Sequence, residues 1–382
     1  MAHLRRCFFI LIPLIWSCAN MDYDVSKGID KEVTLFSDQV SLPVGDIGPM
    51  TLGSLMEGDF GEAIALVAKE DEEGYLVVES EQTFYSNMVL FLGYMLPDPS
   101  VPSALPVSDF SGDPGYGAAA LEAFGFQSNP QTLSLRASNP LSEEFEVSGK
   151  VTLIGVDVEG NPTQTILTQE FSNSKVPAGA DDAEFYRVDL KGEKAVYSCK
   201  LENLFLHLPA SVLEKDPEGG MGIILMSYFY KAYMSLANDF PDDLPIDLKD
   251  LDIPLSQFAV KEARIRADVS SEIPITLKIG GVQALVSQPD GEGGTKLVPA
   301  TNLDITSDIT IASGTYHSPV VTPLELSIKA TDGVIPDIAG LKLTLKVLAP
   351  TGDGDKRMNM NEEISFNNVR ASVFGGITIQ GK

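Results

Sequence analysis

Short segments in which apolar and polar residues alternate recur along the whole chain of 382 residues, and this pattern most constrains the fold. Residues 341–347 show it most clearly, because Leu or Val occupies every second position and Lys or Thr the positions between. An alternation of period two places the apolar side chains on one face of a β-strand. Hydrophobic residues make up 44% of the chain, which is enough for packed cores. The chain is therefore predicted to be mainly β, with two tandem antiparallel β-sandwich-like modules and few short helices.

Turn-forming residues separate the predicted strands and indicate where hairpins close. The acidic segment 69–74 lies between apolar runs at 64–67 and 75–78, which predicts one hairpin. Further strands are predicted at 33–35, 40–44, 151–156 and 283–286, and turn segments at 157–161 and 289–294 follow the last two.

Helices are predicted at only two places, as one turn at 51–56 and two turns at 118–124. The segment 221–237 is apolar almost throughout, and Lys231 is its charged residue. It is either a buried helix or a pair of packed strands, because periodicity does not separate the two. A membrane-spanning helix is disfavoured, since a bilayer requires about 20 apolar residues and Lys231 lies in the middle.

Two stretches of the sequence resemble each other at an offset of 130 residues (266 − 136). Residues 133–137, with Arg136 in the fourth position, match residues 263–267, with Arg266 in the same position. In both copies an X-Pro pair, an apolar run and a glycine-containing turn follow. The offset is too long for a solenoid repeat, so it indicates either two related modules or a chance similarity of alternating strands.

Segments rich in proline, glycine or aspartate indicate the module boundaries. Residues 97–117 form one such loop. Residues 239–254 hold six aspartates and three prolines, and both like-charge repulsion and proline favour an extended linker there. The predicted organisation is a signal segment at 1–17, an N-terminal module at 18–240, an acidic linker at 241–254 and a C-terminal module at 255–382.

The N-terminus has the pattern of a targeting segment. Arg5-Arg6 precede the apolar run 7–17, which is too short to span a bilayer and is typical of a secretory signal. Residues 14–18, Leu-Ile-Trp-Ser-Cys, then resemble the lipobox of bacterial lipoproteins, with Trp in place of a small residue. The resemblance implies cleavage before Cys18, a diacylglycerol on the Cys18 thiol and acylation of the new amine. A plain secretory signal that ends near a cysteine is the alternative.

Parts of the body resemble uncharacterised Bacteroidetes lipoproteins. Residues 42–46 and 50–55 are similar to their N-terminal segments, and residues 138–161 to their strand–turn–strand units. The resemblance implies a β-rich protein without catalytic residues that is lipid-anchored in the outer membrane. Acidic residues just after the cysteine resemble the surface-export signals of these lipoproteins. Since only Asp22 and Asp24 are present here, the sequence does not decide between the cell surface and the periplasmic face. Some duplicated β proteins of this kind resemble tubular lipid-binding folds, so carriage of hydrophobic ligands is one alternative.

Residues that carry chemistry are scarce. The net charge of −27 disfavours nucleic acid as a partner, because a polyanion would be repelled. After loss of the signal the chain keeps two histidines, His207 and His317, and two cysteines, Cys18 and Cys199. The sequence shows no motif of a catalytic nucleophile, a zinc site, a phosphate-binding loop or a dinucleotide-binding loop. We therefore predict no enzymatic activity and no catalytic, cofactor-binding or metal-binding residues. Calcium needs only oxygen ligands, so the sequence does not decide whether the aspartates of 239–252 bind it.

The aromatic residues give the last indication. The single tryptophan, Trp16, lies in the signal, and the main aromatic cluster consists of Tyr228, Phe229, Tyr230 and Tyr233. We interpret this cluster as core packing, with sugar stacking as the competing interpretation. The predicted function is a non-enzymatic envelope lipoprotein that contacts membrane lipid through acylated Cys18 and binds or adheres to a protein, glycan or lipid. A carrier of hydrophobic ligands and a glycan-binding component of an uptake system are the alternatives.

Overall fold

The computed structural model describes residues 32–34, 39–56, 64–88, 103–122, 125–156, 162–191, 194–208, 223–239, 243–249, 251–291, 294–350, 355–374 and 378–380. Strands dominate these residues, which confirms the mainly β fold class. The predicted signal segment and Cys18 lie outside them.

The strands are, in chain order, β1 (Glu32–Thr34), β2 (Gln39–Thr51), β3 (Lys69–Glu70), β4 (Leu76–Met88), β5 (Ser103–Val107), β6 (Phe110–Gly112), β7 (Phe126–Ala137), β8 (Phe145–Val156), β9 (Pro162–Val176), β10 (Ala183–Leu190), β11 (Val196–Leu208), β12 (Ile223–Leu236), β13 (Asp243–Leu248), β14 (Glu262–Ser271), β15 (Thr276–Pro289), β16 (Thr295–Pro299), β17 (Leu303–Thr306), β18 (Thr310–Ile311), β19 (Val320–Ala330), β20 (Gly340–Leu348), β21 (Glu363–Phe374) and β22 (Thr378–Gln380). Two short α-helices, α1 (Leu52–Leu55) and α2 (Tyr116–Glu122), fall where one and two helical turns were predicted.

These strands form two β-sandwiches and one small terminal ladder. In the first sandwich a sheet of order β10-β7-β12-β4-β3 packs on a sheet of order β5-β11-β8-β9, with β6 also paired to β11. In the second, a sheet of order β17-β19-β14-β21-β2 packs on β13-β20-β15-β16, with β18 also paired to β15. Strands β1 and β22 pair only with each other in the described part of the chain. All pairings are antiparallel.

The two sandwiches share one topology. Eight strands of each, counted in chain order, form sheets of order 6-3-8-1 and 2-7-4-5, which is the connectivity of a jelly roll. The sequence repeat falls on equivalent strands, since β7 and β14 are each third in this count. Arg136 lies opposite Glu184 on the neighbouring strand, and Arg266 lies opposite Glu325 in the same relation. The repeat therefore marks structurally equivalent positions.

The structure differs from the predicted boundaries in the placement of β2. The predicted N-terminal module, residues 18–240, includes this strand, yet β2 pairs with β21 along the second sandwich, from Gln39 opposite Phe374 to Thr51 opposite Glu363. The first sandwich is thus inserted between the first and second strands of the other. We call them the inserted sandwich and the host sandwich.

The prediction of an acidic linker at 241–254 is wrong, because this segment contains β13, which pairs with β20. Ile246 and Leu248 are buried while Asp243 and Asp247 are exposed, so the aspartates occupy the solvent face of an ordinary amphipathic strand. The predicted loop at 97–117 likewise contains β5, β6 and part of α2. The run at 64–67 is a helical turn rather than a strand, with the amide of Ala68 bonded to the carbonyl of Ile64.

Strand β12 resolves the ambiguous apolar segment. It is neither a helix nor two strands but one central strand of 14 residues, paired with β7 on one side and β4 on the other. Its even-numbered side chains face the core, where Tyr230 is fully buried and its hydroxyl donates to Gln131 Oε1 at 2.7 Å. Its odd-numbered side chains lie on the outer face of the sheet, which positions Phe229, Lys231 and Tyr233 toward the surface.

Candidate functional site

The two sandwiches meet at residues 355–362 of the host, which we call the junction segment. This segment runs between the ends of two strands of the inserted sandwich. The amide of Met358 donates to the carbonyl of Met234 on β12 at 2.9 Å, and the amide of Leu76 on β4 donates to the carbonyl of Met358 at 2.8 Å. On its other side, the amide of Leu52 donates to the carbonyl of Glu362 at 2.7 Å. The backbone ladder therefore continues from one sandwich into the other.

Polar side chains are buried within this junction. Asn359 is fully buried, and its side-chain amide donates to the carbonyl of Glu73 at 2.9 Å. Glu362 is 1% exposed and its Oε2 accepts the amide N–H of Asn359 at 3.2 Å. Burial, with smaller contributions from the charges of Asp355 and Glu272, raises the pKa of Glu362 to about 9 despite that hydrogen bond. The Glu362 carboxyl is consequently neutral at physiological pH.

Four rings from both sandwiches lie in a row at the surface of this junction, and we call them the ring cluster. Tyr233 and Tyr75 come from the inserted sandwich, and their centroids are 5.8 Å apart in an edge-to-face arrangement. Tyr316 of the host lies 6.4 Å from Tyr75, also edge to face, and stacks on His317 at 3.9 Å. The three tyrosines are half-buried and His317 is exposed. Such edge-to-face and stacked pairs are favourable geometries for aromatic side chains.

Two cations contact these rings, and each is neutralised locally. The Arg357 guanidinium lies 4.4 Å from the Tyr75 centroid and 5.1 Å from the Tyr233 centroid, and it donates three hydrogen bonds to the Asp355 carboxylate. Lys231 lies 4.8 Å from the Tyr233 centroid and bridges Asp71 at 2.9 Å and Glu79 at 3.5 Å. The cluster therefore combines cation–π contacts with closed ion pairs.

The ion pairs shift the pKa values of their members in the expected directions. Burial alone would raise the pKa of Asp71, but the hydrogen bond from Lys231 and those from two backbone amides hold it below its usual value. Burial alone would likewise lower the pKa of Lys231, and its hydrogen bonds to Asp71 and Tyr233 raise it instead. These groups stay charged across the physiological range.

A tight turn fixes the host part of the ring cluster. Thr315 and Ser318 exchange backbone hydrogen bonds of 3.3 and 2.7 Å around Tyr316 and His317. His317 has φ +61°, a left-handed conformation that is uncommon for a residue with a side chain. A Cβ at the preceding Gly314 would overlap the backbone of β14, so glycine permits the turn to pack closely there.

The predicted aromatic cluster divides between core and surface. Tyr228 and Tyr230 are buried between the sheets, as the core interpretation required. Phe229 and Tyr233 lie on the outer face, where Arg136 covers Phe229 at 4.6 Å and Tyr233 joins the ring cluster. Sequence reasoning missed Tyr75, Tyr316 and Arg357, and it singled out His317 only as one of two histidines.

The other candidate residues do not assemble into a reactive site. Ser148 Oγ lies 2.8 Å from His207 Nε2, but no carboxylate hydrogen bond to His207 is found among the described residues. Cys199 is fully buried, and burial raises the pKa of its thiol to about 12, so the nucleophilic thiolate is suppressed. Cys18 lies outside the described residues.

The described part of the chain holds neither a metal-binding cluster nor a membrane-spanning helix. Within them, no group of three or more His, Cys, Asp or Glu side chains is placed to hold a metal ion. No helix in this part of the chain is long and apolar enough to cross a bilayer.

A carrier of hydrophobic ligands requires a cavity that can hold its ligand. The core of the host sandwich contains an apolar cavity of about 10 Å³, lined by Ile265, Leu324 and Phe366 among others. Ligand pockets usually have volumes of about 300–1,000 Å³. This cavity is too small for a lipid chain.

No protein family and no curated protein matches the chain. Among solved structures it is similar to a protein of Parabacteroides distasonis ATCC 8503 described as secreted, at 12% identity and a TM-score of 0.39, over 88% of this chain and 100% of that one. It is also similar to infectious bursal disease virus, Gx strain, at 9% identity and a TM-score of 0.22, over 72% of this chain and 41% of that one. The subviral particle of VP2 from the same virus matches at 9% identity and a TM-score of 0.21, over 87% and 65%. Similarities this distant carry no inference about function.

Proposed function

We propose that this chain is a non-enzymatic lipoprotein of the bacterial outer membrane, anchored through acylated Cys18, that presents the inserted sandwich for binding. The lipobox-like residues 14–18 support the anchor, and the path of the chain through the host sandwich supports the presentation. The latter is the observation that carries the proposal.

The chain enters and leaves the host sandwich at one end. Strands β1 and β22 pair with each other, with Glu32 opposite Gln380. Only residues 35–38 separate β1 from β2, and only 375–377 separate β21 from β22. The longer of these links, from Thr34 to Gln39, is five residue steps and spans at most about 18 Å when extended. The β1–β22 ladder must therefore lie close to the Gln39 end of β2, and the chain from Cys18 joins the described fold at this ladder.

The inserted sandwich lies at the opposite end of β2. This strand has 13 residues, which corresponds to about 40 Å of extended chain, and at Thr51 it leads directly into α1 and the junction. With the Cys18 end held at a bilayer, the host sandwich serves as a spacer and the inserted sandwich projects away from the lipid. This arrangement suits recognition of a partner outside the membrane.

Metabolic labelling with an alkyne-tagged fatty acid tests the anchor. We expect label on the wild-type chain and none on Cys18→Ala, because Cys18 carries the acyl groups. Cys199→Ala is the matched control and should label like wild type, since Cys199 is buried in the core. Equal labelling of wild type and Cys18→Ala would refute the proposal. Proteinase K added to intact cells then separates the two faces, since a surface-exposed chain is cleaved and a periplasmic one is protected.

A further inference from the structure

We propose that the ring cluster at the junction binds a neutral oligosaccharide, one sugar unit of which stacks on His317 beside Tyr316. The inference builds on the proposed binding function and gives it a ligand class and a location. It concerns Tyr75, Tyr233, Tyr316 and His317, together with the carboxylates beside them.

The charges of the site favour a neutral ligand. Each cation that contacts the rings already has a carboxylate partner, Asp355 for Arg357 and Asp71 with Glu79 for Lys231. An anionic ligand would have to displace one of these carboxylates within a protein of net charge −27. A cationic ligand would compete with Arg357 and Lys231 for the same ring faces and carboxylates.

The groups that remain accessible match the two kinds of surface on a sugar ring. Aromatic faces carry negative potential and attract electropositive C–H groups, which line one face of many pyranose rings. Carboxylates accept hydrogen bonds, which sugar hydroxyls donate. Asp355 is exposed and lies beside Arg357 at the edge of the cluster. His317 has one ring face against Tyr316, and the residue is exposed.

The site is preorganised, which lowers the cost of binding. The Thr315–Ser318 turn holds Tyr316 and His317, and the junction segment holds Tyr75 through its backbone bridge to Asn359. Residues kept in strained backbone conformations tend to occur at functional sites, and His317 at φ +61° forms the exposed end of the ring cluster.

Affinity electrophoresis tests the proposal, with the full chain in detergent and gels that contain β-glucan, xylan, galactomannan or amylose. Polygalacturonate serves as an anionic comparison. We expect at least one neutral polysaccharide to retard the wild-type chain, and added salt to leave the retardation unchanged, because the contact is not ionic. His317→Gly removes a ring at a position whose backbone favours glycine, and we expect it to weaken retardation about five- to tenfold.

Tyr316→Ala is a second ring variant, and Tyr116→Ala is the matched control, because Tyr116 is a 63% exposed tyrosine on α2 outside the cluster. The control should bind like wild type, and thermal unfolding should show that all variants remain folded. Retardation by polygalacturonate alone, by no polysaccharide, or to the same extent in His317→Gly and wild type would each overturn the proposal. Fatty-acid labelling of the same preparations reports separately on the anchor, so failure of the glycan site is distinguishable from failure of the lipoprotein assignment.

Discussion

The neutral, buried carboxyl of Glu362 should make this protein lose stability as the pH rises. Its pKa is about 9 in the folded chain against a reference value of 4.5, so between these pH values the folded state holds one proton more than the unfolded state. The free energy of unfolding then falls by about 1.4 kcal/mol for each pH unit. At about pH 7.5, three units above the reference value, the accumulated loss is about 4 kcal/mol. Below pH 4.5 and above pH 9 this contribution is constant.

Glu362→Gln tests this reasoning, because glutamine is uncharged at every pH and its Oε1 can still accept the amide N–H of Asn359. We expect the variant to be at least as stable as wild type near neutral pH and to lack the decline of about 1.4 kcal/mol per unit. Chemical denaturation of the purified full chain at several pH values between about 5 and 9 measures both slopes. Glu363→Gln, which changes an exposed neighbour, is the control and should follow wild type. Parallel pH profiles for Glu362→Gln and wild type would show that this carboxyl ionises freely in the fold.

Two further predictions concern the same junction. Gly74→Ala should destabilise the chain by at least about 1 kcal/mol more than Gly291→Ala. Both glycines have nearly the same positive φ, but only at Gly74 does the new Cβ overlap side chains, those of Asn361 and of the buried Asn359, which its hydrogen bond to the Glu73 carbonyl holds in place. Paired thermal unfolding curves measure the difference. Asp71→Asn should lower the melting temperature at neutral pH and converge with wild type in acid. The pKa of Asp71 is lower in the folded chain than in the unfolded one, so its ionised carboxylate stabilises the fold at pH values above the unfolded pKa, near 4. This stabilisation is lost as the pH falls further and the carboxylate is protonated. A constant difference in melting temperature between Asp71→Asn and wild type at all pH values would contradict this reasoning.

The local alternation of apolar and polar residues was sufficient to predict strands, and β12 shows where this alternation could not distinguish a strand from a helix. Its apolar run has hydrophobic residues on both faces, because the core covers one face and the ring cluster and Arg136 partly cover the other. Alternation is lost when both faces are partly buried, so periodicity could not separate strand from helix. The decisive interactions are its ladders with β4 and β7, which pair residues about 100 to 150 positions apart.

The insertion was not predictable for a related reason. Strand β2 was placed with the segments that follow it, since neighbours in sequence usually pack together. Its actual partner, β21, lies more than 300 residues away, as in Leu42 opposite Ala371. The repeat at Arg136 and Arg266 did indicate equivalent strands, but it could not reveal that the first strand of one copy precedes the whole of the other.

The ring cluster illustrates the same limit for the site. The sequence places Tyr233 in an aromatic cluster. If segment 221–237 is taken as one strand, alternation puts Tyr233 on the face opposite the buried Tyr230. Tyr75, Tyr316 and Arg357 come from three other parts of the chain, and each looks unremarkable in its local sequence. Only their convergence at the junction distinguishes them, and that convergence is a property of tertiary structure.

The nested arrangement explains how two sandwiches can share one site. Two sandwiches in tandem, joined by a single extended linker, would reorient freely, and rings from both would meet a ligand only at a cost in conformational entropy. An inserted sandwich has two covalent connections to its host, and here the junction segment adds a backbone ladder between them. The 6.4 Å spacing between Tyr75 and Tyr316 is therefore set before any ligand arrives. Because Glu362 and Asn359 are buried in this same ladder, the stability of the junction and the geometry of the proposed sugar site depend on the same contacts.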